Sequence, residues 1–382
     1  MKKAVIIGGT SGIGCSLANE LLKRGYDNVI CFGKVNDKTY RFLKSNKIQI
    51  RNINLLNNDF SFLEEIDDTF DTLIITSGFG RVALFEDLAD CEVKNLITVN
   101  YLSAAIILHK FYSRIKSDNN FYTAVIGSIA GHVVSPLFSV YGSSKSGLCS
   151  LIENINSELM AEGFSNRILD VSPGVIKGTS FTGGLTDLSS LEKLSNEILD
   201  KMYGKKTLFI PNFDDIYKEV IERYHKNPKE FGLESYKYKK DNNRISSKPQ
   251  VVIGYLSGTF DLFHIGHLNL LKRAKENCDY LIVGVHESGA WKGKETFIPF
   301  EERLEIIRSI KFVDEAVMSC KEDSDAWEKY HYHKLFVGDD YKNTERFNRY
   351  EKFFADKGVE IVYFPYTKGT SSTQLRVAIK SS

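Results

Sequence analysis

The sequence predicts an α/β protein of two parallel-sheet domains, and three observations lead there. Short apolar runs alternate with stretches long enough for crossover helices in both halves of the 382 residues. A polar segment at 212–248 interrupts this rhythm, and each half opens on a strand that runs into a glycine-bearing turn. Parallel strands read as unbroken apolar runs because helices cover both faces. A chain of this length exceeds one ordinary domain and is long enough to bury two cores.

In chain order, the apolar runs at 4–7, 29–32, 72–75, 124–126 and 168–171 are the strands of an N-terminal Rossmann-type doubly wound parallel sheet, placed at 1–211. Residues 212–249 are Lys-, Tyr- and Asn-rich and are assigned as a linker, with one amphipathic helix expected at 216–224 and a polar run at 237–243. Such a composition buries little surface. The alternation resumes at 251–255 and continues at 280–285, 334–337 and 359–364, which defines a C-terminal Rossmann-like α/β domain over 250–382.

A formal net charge of +1 with no long single-sign run argues against nucleic-acid or anionic-membrane partners. No apolar stretch in the sequence approaches the roughly 20 residues of a spanning helix. The apolar run after Lys2 and Lys3 breaks at Gly8 and Gly9, too early for a signal-peptide core. Cys15, Cys31, Cys91, Cys149, Cys278 and Cys320 are scattered without a C-x-x-C pair, which predicts reduced thiols and a cytoplasmic location.

The first turn reads Ile7-Gly8-Gly9-Thr10-Ser11-Gly12-Ile13-Gly14. Glycines there let the backbone approach a pyrophosphate while the helix amides favour its charge. Downstream come Gly78, Asn100, Ser128, Tyr141 with Lys145 one helical turn on, then Pro173, Gly174 and Thr179. In this order and spacing, residues 1–210 resemble the short-chain dehydrogenase/reductase family. The resemblance implies that Tyr141 donates a proton to a carbonyl as hydride arrives, that Lys145 stabilises the phenolate and holds the nicotinamide ribose, that Ser128 polarises the carbonyl, and that Asn100 supports a proton relay. It also assigns the cofactor to Gly8, Ser11, Gly12, Ile13, Gly14, Gly78, Tyr141, Lys145, Pro173, Gly174 and Thr179. The second strand ends Phe32-Gly33-Lys34 with no acid to grip a ribose diol, so Lys34 favours NADPH, with NADH open. Ile7 and the segment Thr76-Ser77-Gly78 depart from the family's usual residues.

The second turn reads Gly258-Thr259-Phe260-Asp261, followed by His264 and His267 at a helix start. With Arg303, Asp339 and Ser371-Ser372-Thr373, residues 250–380 resemble nucleotidyltransferases typified by glycerol-3-phosphate cytidylyltransferase. The resemblance implies in-line attack of a phosphate oxygen on a triphosphate, catalysed by positioning and charge neutralisation. His264 and His267 would contact the α- and β-phosphates, Lys292 and Lys294 would clamp the transferring phosphates, and Arg303 would hold the acceptor phosphate or order that loop. Gly258, Thr259, Phe260, Asp339, Ser371, Ser372 and Thr373 would complete the nucleotide site, and Asp261 would share Mg²⁺. Tyr366 and Lys368 replace the usual arginine and acid, and the base is read as CTP with ATP as the alternative.

A shared intermediate must carry both a carbonyl and a phosphate, as a ketose phosphate does. Ribulose 5-phosphate leading to CDP-ribitol, a donor for capsule or teichoic acid polymers, is the expected route, with arabinitol, mannitol and glycerol products open. Arg81, His132 and Lys177 are candidate substrate-phosphate anchors. Both resembled families imply a homodimer or larger assembly, and a non-catalytic nucleotide-binding role for one domain is the contrasting reading.

Overall fold

The computed structural model describes residues 2–67, 69–179, 187–246, 251–289, 295–365 and 374–376. It divides into two compact units, Met1–Lys248 and Pro249–Ser382.

The first unit runs β1 (Lys3–Ile7), α1 (Gly12–Lys23), β2 (Asn28–Gly33), α2 (Asp37–Phe42), β3 (Ile48–Asn52), β4 (Thr72–Ile75), α3 (Asp90–Ile97), α4 (Ser103–Lys110), α5 (Tyr112–Ile115), β5 (Tyr122–Ile126), α6 (Ser139–Ala161), β6 (Ile168–Val171), α7 (Glu192–Tyr203), β7 (Leu208–Phe209), α8 (Lys218–Lys226) and α9 (Pro228–Asp241). Its sheet is parallel throughout in the order β3-β2-β1-β4-β5-β6-β7. Alternation along β1 divides the core between two faces. Val5 and Ile7 pack with Ile107, Leu108, Leu148 and Ile152, whereas Ala4 and Ile6 pack with Leu17, Leu21, Ile198 and Leu199. Burial on both faces explains why these strands read as apolar runs. The helical run Asp90–Lys110 meets the length and composition of a membrane span in its most apolar window. That was not expected from the sequence, and its physical cause is core packing, since 56% of the window is buried inside the unit.

The segment assigned as a linker is folded. Phe213–Tyr217 forms a π-helical turn, α8 follows, and α9 carries the polar run to Asp241. Asn227 caps α9 through Glu230 N, and Pro228 occupies its first turn. The segment bonds to the first unit, with Ser246 N donating to the Val82 carbonyl at 2.8 Å.

The second unit runs β8 (Ile253–Gly258), α10 (Ile265–Glu276), β9 (Tyr280–Val285), α11 (Phe300–Arg308), β10 (Glu315–Met318), α12 (Asp323–Tyr330), β11 (Lys334–Gly338), α13 (Glu345–Phe354) and β12 (Glu360–Phe364). Its parallel sheet has the order β10-β9-β8-β11-β12, and Leu256, Val283, Phe336, Leu271 and Ile307 meet in its core. In both sheets the order reverses beside the first strand, which opens a crevice at the carboxyl ends of β1 and β4 and of β8 and β11.

Candidate active sites

Loops leaving the carboxyl ends of the central strands build the first site. Gly8 and Gly12 adopt φ +90° and +50°, where a side chain is strained. Ser11 is the extended N-cap of α1, and Ile13 follows on the first turn. A Cβ on Gly14 would lie 2.3 Å from the Gly8 carbonyl oxygen and 2.5 Å from Thr76 Oγ1, so only glycine lets the helix start approach the turn. Thr179 stands over Gly12, its Cγ2 3.8 Å from where a Cβ would be, and its hydroxyl donates to the Ile176 carbonyl at 3.0 Å. Pro173 and Gly174 follow β6, and the Pro173 carbonyl accepts from Ile129 N at 3.0 Å. Lys34 is exposed just beyond β2, its carbonyl accepting from Thr10 Oγ1 at 2.9 Å. A cradle that a Cβ would fill fits a dinucleotide.

Asn100 lies in a π-helical turn, Thr98–Leu102, a distortion that re-aims one side chain of a helix. Its Oδ1 accepts from Phe79 N at 3.0 Å, and its Nδ2 donates to the Phe79 carbonyl at 2.9 Å and to Ser144 Oγ at 3.2 Å. A Cβ on Gly78 would stand 3.2 Å from Asn100 Oδ1 and 3.3 Å from Lys145 Nζ. Lys145, 3% exposed, donates to the Ile126 carbonyl at 2.7 Å, and burial pulls its pKa down to about 8. The Tyr141 ring packs 5.1 Å from that of Phe138, and a Cβ on Gly80 would touch it at 2.4 Å. Burial raises the Tyr141 pKa, opposed by a hydrogen bond from Ser128, whose Oγ accepts from Ala130 N at 3.2 Å. The expected residues Asn100, Ser128, Tyr141 and Lys145 therefore converge at the carboxyl ends of β4 and β5. A buried phenol that retains its proton is suited to protonating a carbonyl oxygen.

Of the expected anchors, Arg81 is committed elsewhere. Its Nε and one terminal nitrogen pair with Glu92 at 2.8 and 2.9 Å, and the other donates to the Ser246 carbonyl at 2.8 Å. It fastens loops and does not present its charge to a substrate phosphate. His132 bonds Ser172 Oγ at 2.9 Å and lies 3.4 Å from Asp170, whose carboxylate raises its pKa to about 10. Lys177 is exposed on the loop after β6.

In the second unit, the turn after Gly258 bends through Phe260 at φ +53° and Leu262 at φ +49°. Left-handed backbone at such residues costs roughly 1–3 kcal/mol each and concentrates at functional sites. The turn delivers His264 as the N-cap of α10. His264 Nδ1 accepts from Gly266 N at 3.0 Å, and His267 Nδ1 accepts from His264 N at 3.4 Å. Each Nδ1 acts as an acceptor, which assigns the proton of the neutral ring to Nε2. The two rings lie 4.0 Å apart, and His267 packs 5.5 Å from both Phe260 and Phe263. Burial lowers the His264 pKa, so it is a neutral donor at neutral pH, beside a helix start that favours anions. Asp339 is exposed at the end of β11, across the crevice.

Two expected residues are deeply buried, and the structure selects one of Arg303's two expected roles and departs from that of Asp261. Arg303 is 0% exposed, and its guanidinium donates to the carbonyls of Ile298 at 2.9 Å, Thr259 at 2.5 Å, His286 at 2.8 Å and Glu287 at 2.7 Å. It orders the loops, which is one of the two roles expected of it. Asp261 is 4% exposed and accepts from Phe297 N at 3.1 Å, Ile298 N at 3.0 Å and Arg376 at 2.5 Å. That carboxylate does not fit a Mg²⁺ ligand. Arg376, which sequence reasoning missed, also donates to the Glu295 carbonyl at 2.7 Å. Lys292, Lys294, Tyr366, Lys368, Ser371, Ser372 and Thr373 lie outside the described residues.

The first site defines a nicotinamide-dependent reductase and the second a nucleotidyltransferase. The short chain dehydrogenase family model matches residues 2–189, and the cytidylyltransferase-like model matches 255–378. The chain is an enzyme of the cytidylyltransferase-like family that carries a short-chain dehydrogenase domain ahead of the transferase. It is 36% identical over 124 residues to glycerol-3-phosphate cytidylyltransferase of Bacillus spizizenii, covering 31% of this chain and 90% of that protein. It is 27% identical over 210 residues to the 3-oxoacyl-(acyl-carrier-protein) reductase FabG of Buchnera aphidicola, covering 53% of this chain and 84% of that one. A short-chain dehydrogenase structure from Streptomyces avermitilis shares the fold, with a TM-score of 0.50 and 16% identity over 63% of this chain and all of that one.

Proposed function

We propose that the protein reduces a ketose phosphate with NADPH to an alditol phosphate and couples that product to CTP, releasing pyrophosphate and a CDP-alditol. The observation that carries this reading is the presence of both sites on one chain: Ser128, Tyr141 and Lys145 in one unit, and the His264–His267 pair at a helix start in the other. The relative in Bacillus spizizenii is named for a polyol phosphate, and a ketose phosphate is the oxidised partner of such an acceptor. Ribulose 5-phosphate and CDP-ribitol are the favoured substrate and product, consistent with supply of a capsule or teichoic acid polymer.

When bound, the nicotinamide supplies hydride to the carbonyl carbon. Tyr141 gives its proton to the carbonyl oxygen, Ser128 steadies that oxygen, and Lys145 stabilises the resulting phenolate until it is reprotonated. Lys34, exposed where an acid would grip a ribose diol, supports NADPH. In the second unit a phosphate oxygen of the alditol phosphate bonds to the α-phosphorus as the bond to pyrophosphate breaks. The two imidazole N–H groups neutralise the charge that develops there. Mg²⁺ enters this reading with the triphosphate and not through Asp261.

The test is incubation of the purified protein with ribulose 5-phosphate, NADPH, CTP and Mg²⁺, with ATP replacing CTP in parallel. Loss of NADPH absorbance and a CDP-pentitol mass are expected. Turnover of another ketose phosphate alone would replace the ribitol assignment with arabinitol, mannitol or glycerol chemistry, and product with ATP alone would overturn the cytidylyl assignment.

A further inference from the structure

Neither family model covers residues 190–254, yet within that interval 213–246 reaches the three loops that surround Tyr141. On the loop after β6, a Cβ on Gly174 would lie 1.6 Å from Tyr217 Oη, and Tyr217 also bonds the Val175 backbone. On the loop after β5, Lys239 Nζ donates to Ser135 Oγ and to the Pro136 carbonyl, both at 2.7 Å. The same ammonium lies 5.1 Å from the ring centroid of Phe138, which packs 5.1 Å from the Tyr141 ring. On the loop after β4, Ser246 N bonds the Val82 carbonyl, and Arg81 closes the joint through the Ser246 carbonyl.

A solvated connector would not reach all three loops at the carboxyl ends of β4, β5 and β6, which is where a parallel sheet presents its substrate. We propose that residues 213–246 form a wall of the reductase's substrate pocket, with Lys239 a positioning residue that holds turn 135–138, and through Phe138 the Tyr141 ring, in place for proton transfer. The inference rests on the reductase assignment of the first unit and not on the identity of the ketose. Lys239 acts at one remove: its amine ties down the backbone just before α6, and α6 carries both Tyr141 and Lys145. A one-ångström misplacement of a proton donor is enough to cost about a hundredfold in rate.

Two measurements on the full chain test this. Hydrogen exchange over residues 135–142 needs no substrate. It is expected to quicken in Lys239→Met, to return toward the original rate in Lys239→Arg, and to stay unchanged in the central strands. Steady-state reduction of ribulose 5-phosphate, with butane-2,3-dione as an unphosphorylated probe, is expected to lose about tenfold or more in kcat in Lys239→Met. NADPH affinity, and pyrophosphate release from supplied ribitol 5-phosphate and CTP, should be unaltered. If wild type reduces only the dione, the ketose reading fails while the wall is still tested. Unchanged exchange over 135–142 in Lys239→Met overturns the proposal whatever the substrate, as does exchange that quickens throughout the first unit.

Discussion

Lys145 shows how far one residue's chemistry conflicts with its surroundings. Its amine is fully enclosed, and burial lowers its pKa from 10.5 to about 8. Between those values the unfolded chain binds the proton that the folded chain has released, so the stability of the first unit rises with pH across that window. Below pH 8 the charged amine opposes folding by about 3 kcal/mol. Lys145→Met is therefore expected to abolish reduction while raising the unfolding temperature at pH 7, and to remove the upward slope of stability between pH 8 and 10.5. Thermal melts across pH check this. For turnover, Tyr141 keeps its proton and Lys145 its charge below about pH 8, so carbonyl reduction should decline above it. Residues of this kind were legible in the sequence because their signal is local. Tyr141 and Lys145 are one turn apart, and His264 and His267 share the start of one helix. Arg303 was legible only as one of two roles and Asp261 not in its role, because their partners, backbone groups and for Asp261 also Arg376, are brought together only by the folded loops.

At the scale of elements, β1 and α1 meet through four glycines, Gly8, Gly9, Gly12 and Gly14, and the tightest approach is at Gly14. A methyl group there would stand 2.3 Å from the Gly8 carbonyl oxygen, which belongs to the backbone of the cofactor turn. Gly14→Ala must therefore push α1 away from the turn. NADPH affinity is expected to fall by about tenfold or more, with a lower unfolding temperature for the first unit, measured by cofactor titration and calorimetry. The strands that sequence reasoning found have apolar residues facing both ways. Those it did not place, β3, β7 and β10, are edge strands: Gln49 and Arg51 interrupt the apolar run of β3, β10 opens on Glu315, and β7 is only two residues long. The helix α9 was also hidden, because its face toward the first unit uses Lys239 and small or polar residues in place of an apolar stripe.

At the scale of the molecule, two independently cored units predict separable activities. Tyr141→Phe should lower reduction by about 10²–10⁴ and leave cytidylyl transfer from supplied alditol phosphate intact. His264→Ala should do the reverse, with transfer lowered by about 10²–10³. Assaying both activities on each variant checks the independence. The segment after the first unit's sheet nonetheless belongs to that unit. Although the sheet of the first unit ends at Phe209, the segment that follows is anchored at Gly174, Ser135 and Val82, so the reductase extends to Ser246. With the wall proposed above, a gene fragment stopping at Pro211 would encode a complete sheet and an unfinished pocket. An exchange of the transferase for another catalytic module would have to leave those thirty-odd residues with the reductase, because their anchors lie on its own loops.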